Sequence, residues 1–168
     1  MRLLNWLRKL LFAPRVERAK YKDILDIEHI RNGKVIARRH VEDLIPDAGL
    51  AGIAGVINGA LPNVFKYIAI GTGTTAAAND DETLEAEITT GGGERAEGTA
   101  SRMTTTVAND TTQVIHTFTF TAGFAVTEAG LLESAAAGVL GARQVFVVLN
   151  VVSGDGFKIT ERIVNARG

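Results

Sequence analysis

The stretch Gly71-Thr72-Gly73-Thr74-Thr75-Ala76 follows an apolar run, Tyr67 to Ile70, and reads as Gly-x-Gly-x-x-Ala after a strand. Such a pattern can form the turn of a dinucleotide-binding unit, where glycines let the backbone approach a pyrophosphate. That chemistry needs a helix N-terminus directly after the turn, then a parallel strand ending in an acid. Here "AAANDDETLEAEI" (76–88) follows, with room for one or two helical turns and five acids between Asp80 and Glu87. Those acids would repel a phosphate, and "TTGGGERAEG" then breaks the chain again. The sequence therefore predicts that Gly71 and Gly73 turn the chain, and no cofactor is expected.

Other chemistry is equally hard to assemble from the spacing. Gly71 to Thr75 lacks the lysine of a phosphate-binding P-loop. Three histidines, His29, His40 and His116, do not recur at metal-ligand intervals, and no His-Glu-x-x-His is present, so no metal is expected. None of Ser101, Ser134 and Ser153 sits in Gly-x-Ser-x-Gly. His29 and His40 are read as polar residues on strand surfaces or edges. Glu128 and Glu133 could be imagined as a carboxylate pair, but a regular strand puts positions five apart on opposite faces. A cleft gathering Glu94, Glu97, Glu128 and His116 would restore an enzymatic reading. "TGGGER" (90–95) reads as a flexible loop, with an anion-binding nest as the sharper alternative. The expectation is a protein without catalytic, cofactor or metal residues.

The frame for these residues is one domain. A chain of 168 residues buries roughly 70% of the surface its unfolded form exposes. Cysteine is absent, which removes disulfides, thiolate metal ligands and a cysteine nucleophile. The net charge of −1 suggests no direct reading of nucleic acid. Its distribution is uneven: residues 1–22 hold seven basic groups against one acid, Glu17, and the remaining residues hold 11 basic against 18 acidic. A basic arm precedes an acidic body.

Within that arm Leu3, Leu4, Leu7, Leu10 and Leu11 fall on one face at helical spacing, with Trp6 and Phe12 beside them and Arg2, Arg8 and Lys9 flanking. Pro14 ends the predicted amphipathic helix. About three turns of helix are marginal alone in water, so this segment must lie against something. Three surfaces are open to it: its own domain, a neighbouring subunit or partner, or a membrane, of which the partner is favoured and the membrane least. Arg8 and Lys9 interrupt the apolar part, so it lacks a signal peptide's core and Met1 is read as the mature start.

The body, 23–168, is expected to be a single β-rich domain. "ILDIEHI" and "KVIARRH" flank Asn32-Gly33, the strongest short-range hairpin pattern, which gives a hairpin over 24–40. Asp26, Glu28, Arg38 and Arg39 are spaced for opposite charges across it. "IPDAGLAGIAGVINGALP" predicts a Gly/Ala-rich helix over 46–59, between Pro46-Asp47 and Asn58-Gly59, with Leu50, Ile53, Ala54 and Ile57 as its apolar stripe. Gly49, Gly52 and Gly55 allow close packing. From 64 to 166 the pattern is β throughout: 64–70, "RMTTTVAND" and "TQVIHTFTFTA" with Asn109-Asp110 turning between them, 124–134, 139–152 and 156–166. Val114, Phe118 and Phe120 share one face. Short-spaced strands without intervening helices predict an antiparallel β-sandwich or jelly-roll-like domain.

Taken together, "YIAIGTGTTAAANDDETLEAEI", Arg95, "VTEAGLLES…GVLGARQVF" and "GFKITERIVN" resemble a recurrent pattern of tailed-bacteriophage virion proteins. The pattern is an Ile-Gly-x-Gly-x-Thr turn, an acidic alternating-Leu segment ending in Glu, then Thr-Glu-x-Gly-Leu, Ala-Arg-x-x-Phe and a closing Ile-Thr strand. "NGKVIARRHVEDLIPDAGLAGIAGVING" is similar to its lead-in, and residues 24–166 are covered. The resemblance implies a non-enzymatic virion protein: a head decoration or cement protein, or else a head-fibre, tail, collar or baseplate component. It implies the major capsid protein or other virion proteins as partners and a homo-oligomer, namely a trimer. A membrane-surface or cell-surface binding module is the reading from outside that class.

Overall fold

A computed structural model describes residues 19–167. The proposed docking residues Leu3, Leu4, Trp6, Leu7, Arg8, Lys9, Leu10, Leu11 and Phe12, and with them the predicted N-terminal helix, lie outside the described residues.

The described residues fold as a two-sheet antiparallel sandwich with one short helix. Strands β1 (Ala19–Arg31), β2 (Lys34–Asp43), β5 (Thr99–Met103), β6 (Thr111–Thr119) and β9 (Gly156–Arg167) form one sheet in the order β2-β1-β9-β6-β5. Strands β3 (Tyr67–Gly71), β4 (Ala96–Glu97), β7 (Phe124–Leu132) and β8 (Leu140–Val151) form the other in the order β4-β3-β7-β8. Asn32 and Gly33 carry φ of 51° and 73°, the left-handed pair that a two-residue hairpin turn demands. β1 starts at Ala19, within the stretch assigned to the arm, and Ala19 opposes Arg167 in the β1–β9 ladder. Residues 19–22 therefore belong to the sheet.

Alternation decides which side chains enter the sandwich. Leu25 and Ile27 of β1, Val114 and Phe118 of β6, and Phe157 and Ile159 of β9 meet Ile68, Ile70, Val126, Leu131 and Phe146 of the facing sheet in one buried cluster. Phe120, the third member of the predicted β6 face, joins them just past the strand. The two sheets are tied along one edge, where Leu44 and Arg143 exchange backbone hydrogen bonds. Along the other, the chain steps from β4 to β5 through Gly98.

Helix α1 (Asp47–Asn58) follows Pro46 and ends at Gly59, whose φ of 77° gives the left-handed cap. Its buried face differs from the predicted stripe. Gly49 and Gly52 are buried, whereas Leu50 is 46% and Ile57 75% exposed. A Cβ on Gly49 would stand 2.3 Å from the Gly141 carbonyl oxygen, and one on Gly52 2.5 Å from the Phe65 ring. The helix backbone sits directly on the start of β8, which only its glycine face permits.

Two further expectations change. The alternating "RMTTTVAND" is strand only to Met103, because the Asp110 carboxylate takes the N–H groups of Thr105, Thr106 and Val107 at 2.8 Å each and builds a turn instead. The Gly91-Gly92-Gly93 stretch is packed and not a loose loop: a Cβ on Gly92 would fall 2.1 Å from the Thr119 oxygen.

Candidate functional site

The polar residues that looked most like chemistry meet on the outer face of the β3-β7-β8 sheet. Segment 76–88 forms no helix. It crosses that face and buries Leu84 with Ala69, Leu132 and Leu140. β7 is consequently buried from Val126 through Leu132, on both faces.

Glu128 lies at the centre and is fully buried. Its Oε1 accepts the N–H groups of Gly73 at 3.1 Å and Ala86 at 2.7 Å, and its Oε2 accepts that of Glu85 at 3.1 Å. Arg143, 2% exposed, donates to the same Oε2 from Nε at 3.0 Å and Nη2 at 2.9 Å. The guanidinium continues outward, to Asp81 at 2.7 Å and to the Thr75 carbonyl at 3.2 Å. Thr127 closes the ring by donating its hydroxyl to the Gly73 carbonyl at 2.7 Å.

Gly71 and Gly73 have a different task from the one predicted. Neither has a positive φ, and Gly71 is the last residue of β3. Their missing side chains make room: a Cβ on either would lie 2.3 or 2.5 Å from Glu128 Oε1. They let the backbone press against a buried carboxylate.

Three of the five acids that would repel a phosphate are anchors. Asp81 holds Arg143, and Glu87 holds Arg95 at 2.6 Å while Arg95 also donates to the carbonyls of Ser134 and Ala137. Glu85 accepts from the N–H groups of Thr74 and Thr75 and from the Thr75 hydroxyl. The Thr75 and Thr74 donors depress the Glu85 carboxyl below its ordinary value. Burial works against the charge of Asp81, but the Ala78 N–H and Arg143 outweigh it, so its pKa falls. Burial likewise opposes the charge of Arg143, and Asp81 and Glu128 more than restore it.

A second buried cluster fixes the Ser153-Gly154-Asp155-Gly156 turn to β1. Arg31 grips Asp155 with Nε at 2.8 Å and Nη2 at 2.6 Å, and His29 Nε2 lies 2.8 Å from Oδ2. The Val152 N–H adds a bond at 2.9 Å. Arg31 above all drives the Asp155 pKa far down. His29 is 3% exposed, so it is a buried strut and not the surface residue expected from its sequence context.

This geometry limits what the site can do. A general base needs a free lone pair within reach of a substrate proton. Glu128 is sealed and saturated by three backbone donors and a guanidinium. Glu133, just past the end of β7, is also buried. Glu94 and Glu97 are exposed, and Glu97 engages Lys66 at 2.7 Å. They cannot share a cleft with a sealed Glu128. Arg143 was the anchor the spacing did not reveal. The clue was available: one arginine inside "VLGARQVFVVL" must find a partner if that strand is buried.

The outer face of the five-stranded sheet is open. There Glu28 pairs with Arg38 at 3.1 Å and Lys158 at 3.2 Å, while Asp26 pairs with His40 at 2.6 Å and Arg162 at 2.5 Å. Arg39, also expected in this ladder, turns the other way, to the Val147 carbonyl.

Fold and polar clusters together define an antiparallel sandwich whose most conspicuous charges are internal fastenings. No family model matches the chain, and neither a curated protein nor a solved structure is detectably similar to it.

Proposed function

We propose that this protein is a non-enzymatic structural component of a tailed-phage particle, a head decoration or cement protein that attaches through its N-terminal arm. One observation carries the reading. The separate stretches that resemble the virion pattern become one physical unit: the Gly71–Thr75 turn, the acidic segment at Asp81 and Glu85, Thr127-Glu128 and Ala142-Arg143 converge on a single ion pair. A motif spent on fastening a covering segment to a sheet suits a particle subunit, which works by presenting a fixed surface to its neighbours. The basic, leucine-lined arm supplies attachment, with the major capsid protein or another virion protein as partner and further copies of the chain beside it.

Because β1 begins at Ala19, the informative truncation removes residues 1–18. The truncated body is expected to stay folded and to lose co-sedimentation with particles. Retained binding would remove the arm from the reading. Labelling the protein and imaging particles by electron microscopy separates a shell site from a tail, collar or baseplate site, and absence of label from the particle would end the proposal.

A further inference from the structure

Helix α1 keeps its glycines inward and turns apolar side chains to solvent. Leu50, Ala54 and Ile57, spaced at i, i+4 and i+7, form an exposed stripe about 10 Å long. At its N-terminal end the stripe runs into a groove lined by Leu50, Ile45, Leu44 and Tyr21 together with the charged Lys22, Asp23 and Glu42. Tyr21 stands two residues after Ala19, where the described chain starts. Thus 18 residues of chain enter the domain beside this groove.

We propose that in the free protein this surface is the seat of the chain's own N-terminal segment, Met1–Phe12, lying with its leucines on the Leu50–Ala54–Ile57 stripe. Size and reach agree. Twelve residues of helix are about 18 Å long, and the six residues Ala13–Arg18 span up to about 20 Å when extended. The polarity is complementary. The segment is apolar on one face and carries Arg2, Arg8 and Lys9, whereas the only charged residue of α1 is Asp47. The Asp47 backbone N–H donates to the Asn79 carbonyl, which brings the exposed acids Asp80 and Glu82 to the same end of the helix. A marginal amphipathic helix, as the sequence predicts for this segment, and an apolar stripe left exposed among the described residues each gain by burying the other. This seat concerns the chain before it meets any partner and does not depend on the phage reading; a particle would compete for the same leucines.

Trp6 is the single tryptophan of the chain, so its emission reports this segment alone. The full chain is expected to show blue-shifted emission, poorly quenched by acrylamide and unchanged on dilution. Leu50→Asp and Ile57→Asp should each shift the emission to the red and raise quenching several-fold. Neither side chain is buried in the core of the described body, so far-UV circular dichroism should report that body intact. Val147→Asp, exposed on β8, should leave the emission unchanged. The proposal is overturned by solvent-exposed emission in the unsubstituted chain, or by indifference to both aspartates. Shielding that disappears on dilution overturns it too, by assigning the segment to a second copy. Particle binding is not read here, so either proposal can fail alone.

Discussion

The two sheets of this sandwich treat their outer faces in opposite ways. The β4-β3-β7-β8 sheet is covered by an irregular acidic segment and places an arginine–glutamate pair underneath it. The β2-β1-β9-β6-β5 sheet leaves a ladder of the same residue types uncovered and in partial contact with water. The comparison separates what charge does when sealed from what it does when wet. A buried pair need not outperform a well-packed apolar pair, but breaking it strands an uncompensated charge. An exposed pair is screened and entropically costly to hold.

The largest effect is therefore expected from Arg143→Ala, which leaves Glu128 buried with its countercharge gone. A loss of about 3–5 kcal/mol, read as a fall in the denaturation midpoint, is the expected outcome. Hydrogen exchange should show segment 76–88 released first. A loss below 1 kcal/mol would mean that the apolar contacts of Leu84 hold the segment unaided. Next comes Asp155→Ala, which deprives buried His29 and the Val152 N–H of their acceptor and should cost about 1–3 kcal/mol.

Gly73→Ala tests the close approach itself. Its methyl group would meet Glu128 Oε1 at 2.5 Å and Glu85 Cβ at 2.6 Å, and strain of about 1–3 kcal/mol is expected. Gly33→Ala is an instructive contrast, because nothing lies within 4 Å of its Cβ and only the positive φ opposes the change. Smallest should be Asp26→Asn in the exposed ladder, at most about 1 kcal/mol and diminishing with salt. A larger loss there would erase the distinction between the two faces.

Acid should weaken the molecule in an order set by the same contrast. Burial lowers the His116 pKa, so the unfolded chain takes up its proton first. Stability begins to fall as pH drops below about 6.5. Asp81, Glu85 and Asp155 are also depressed in the folded state. Their contribution is complete above the unfolded carboxylate range near 4 and is lost as pH falls through the folded values. Denaturation midpoints across this range should show a shallow decline and then a steep one. His116→Gln should remove the shallow part.

Legibility in the sequence followed locality. The Asn32-Gly33 turn was readable because its chemistry lies within two residues, and Val114, Phe118 and Phe120 because alternation is a local property. The limits of α1 were readable from Pro46 and Gly59, but its buried face was not. Hydrophobicity pointed to Leu50 and Ile57, whereas the approach of Gly141 required residues with no side chain at all. The polar interior was hidden for a different reason. Glu128 and Arg143 are 15 residues apart, and His29 and Asp155 are 126 apart. No spacing rule relates such positions until the sheets are assembled. Glycines that resembled a phosphate cradle turned out to admit a carboxylate belonging to the protein itself.

The pairing of Ala19 with Arg167 has a mechanical consequence. Antiparallel neighbours drawn apart from the same end open like a zipper, with one cross-strand bond under load at a time. Tension applied across residues 19 and 167 would peel β1 from β9 at low force, whereas a pull between residue 19 and Gly156, at the opposite end of β9, would load the ladder in shear. If the body were gripped at this corner, it would bear strain well only with its other grip elsewhere on the sandwich.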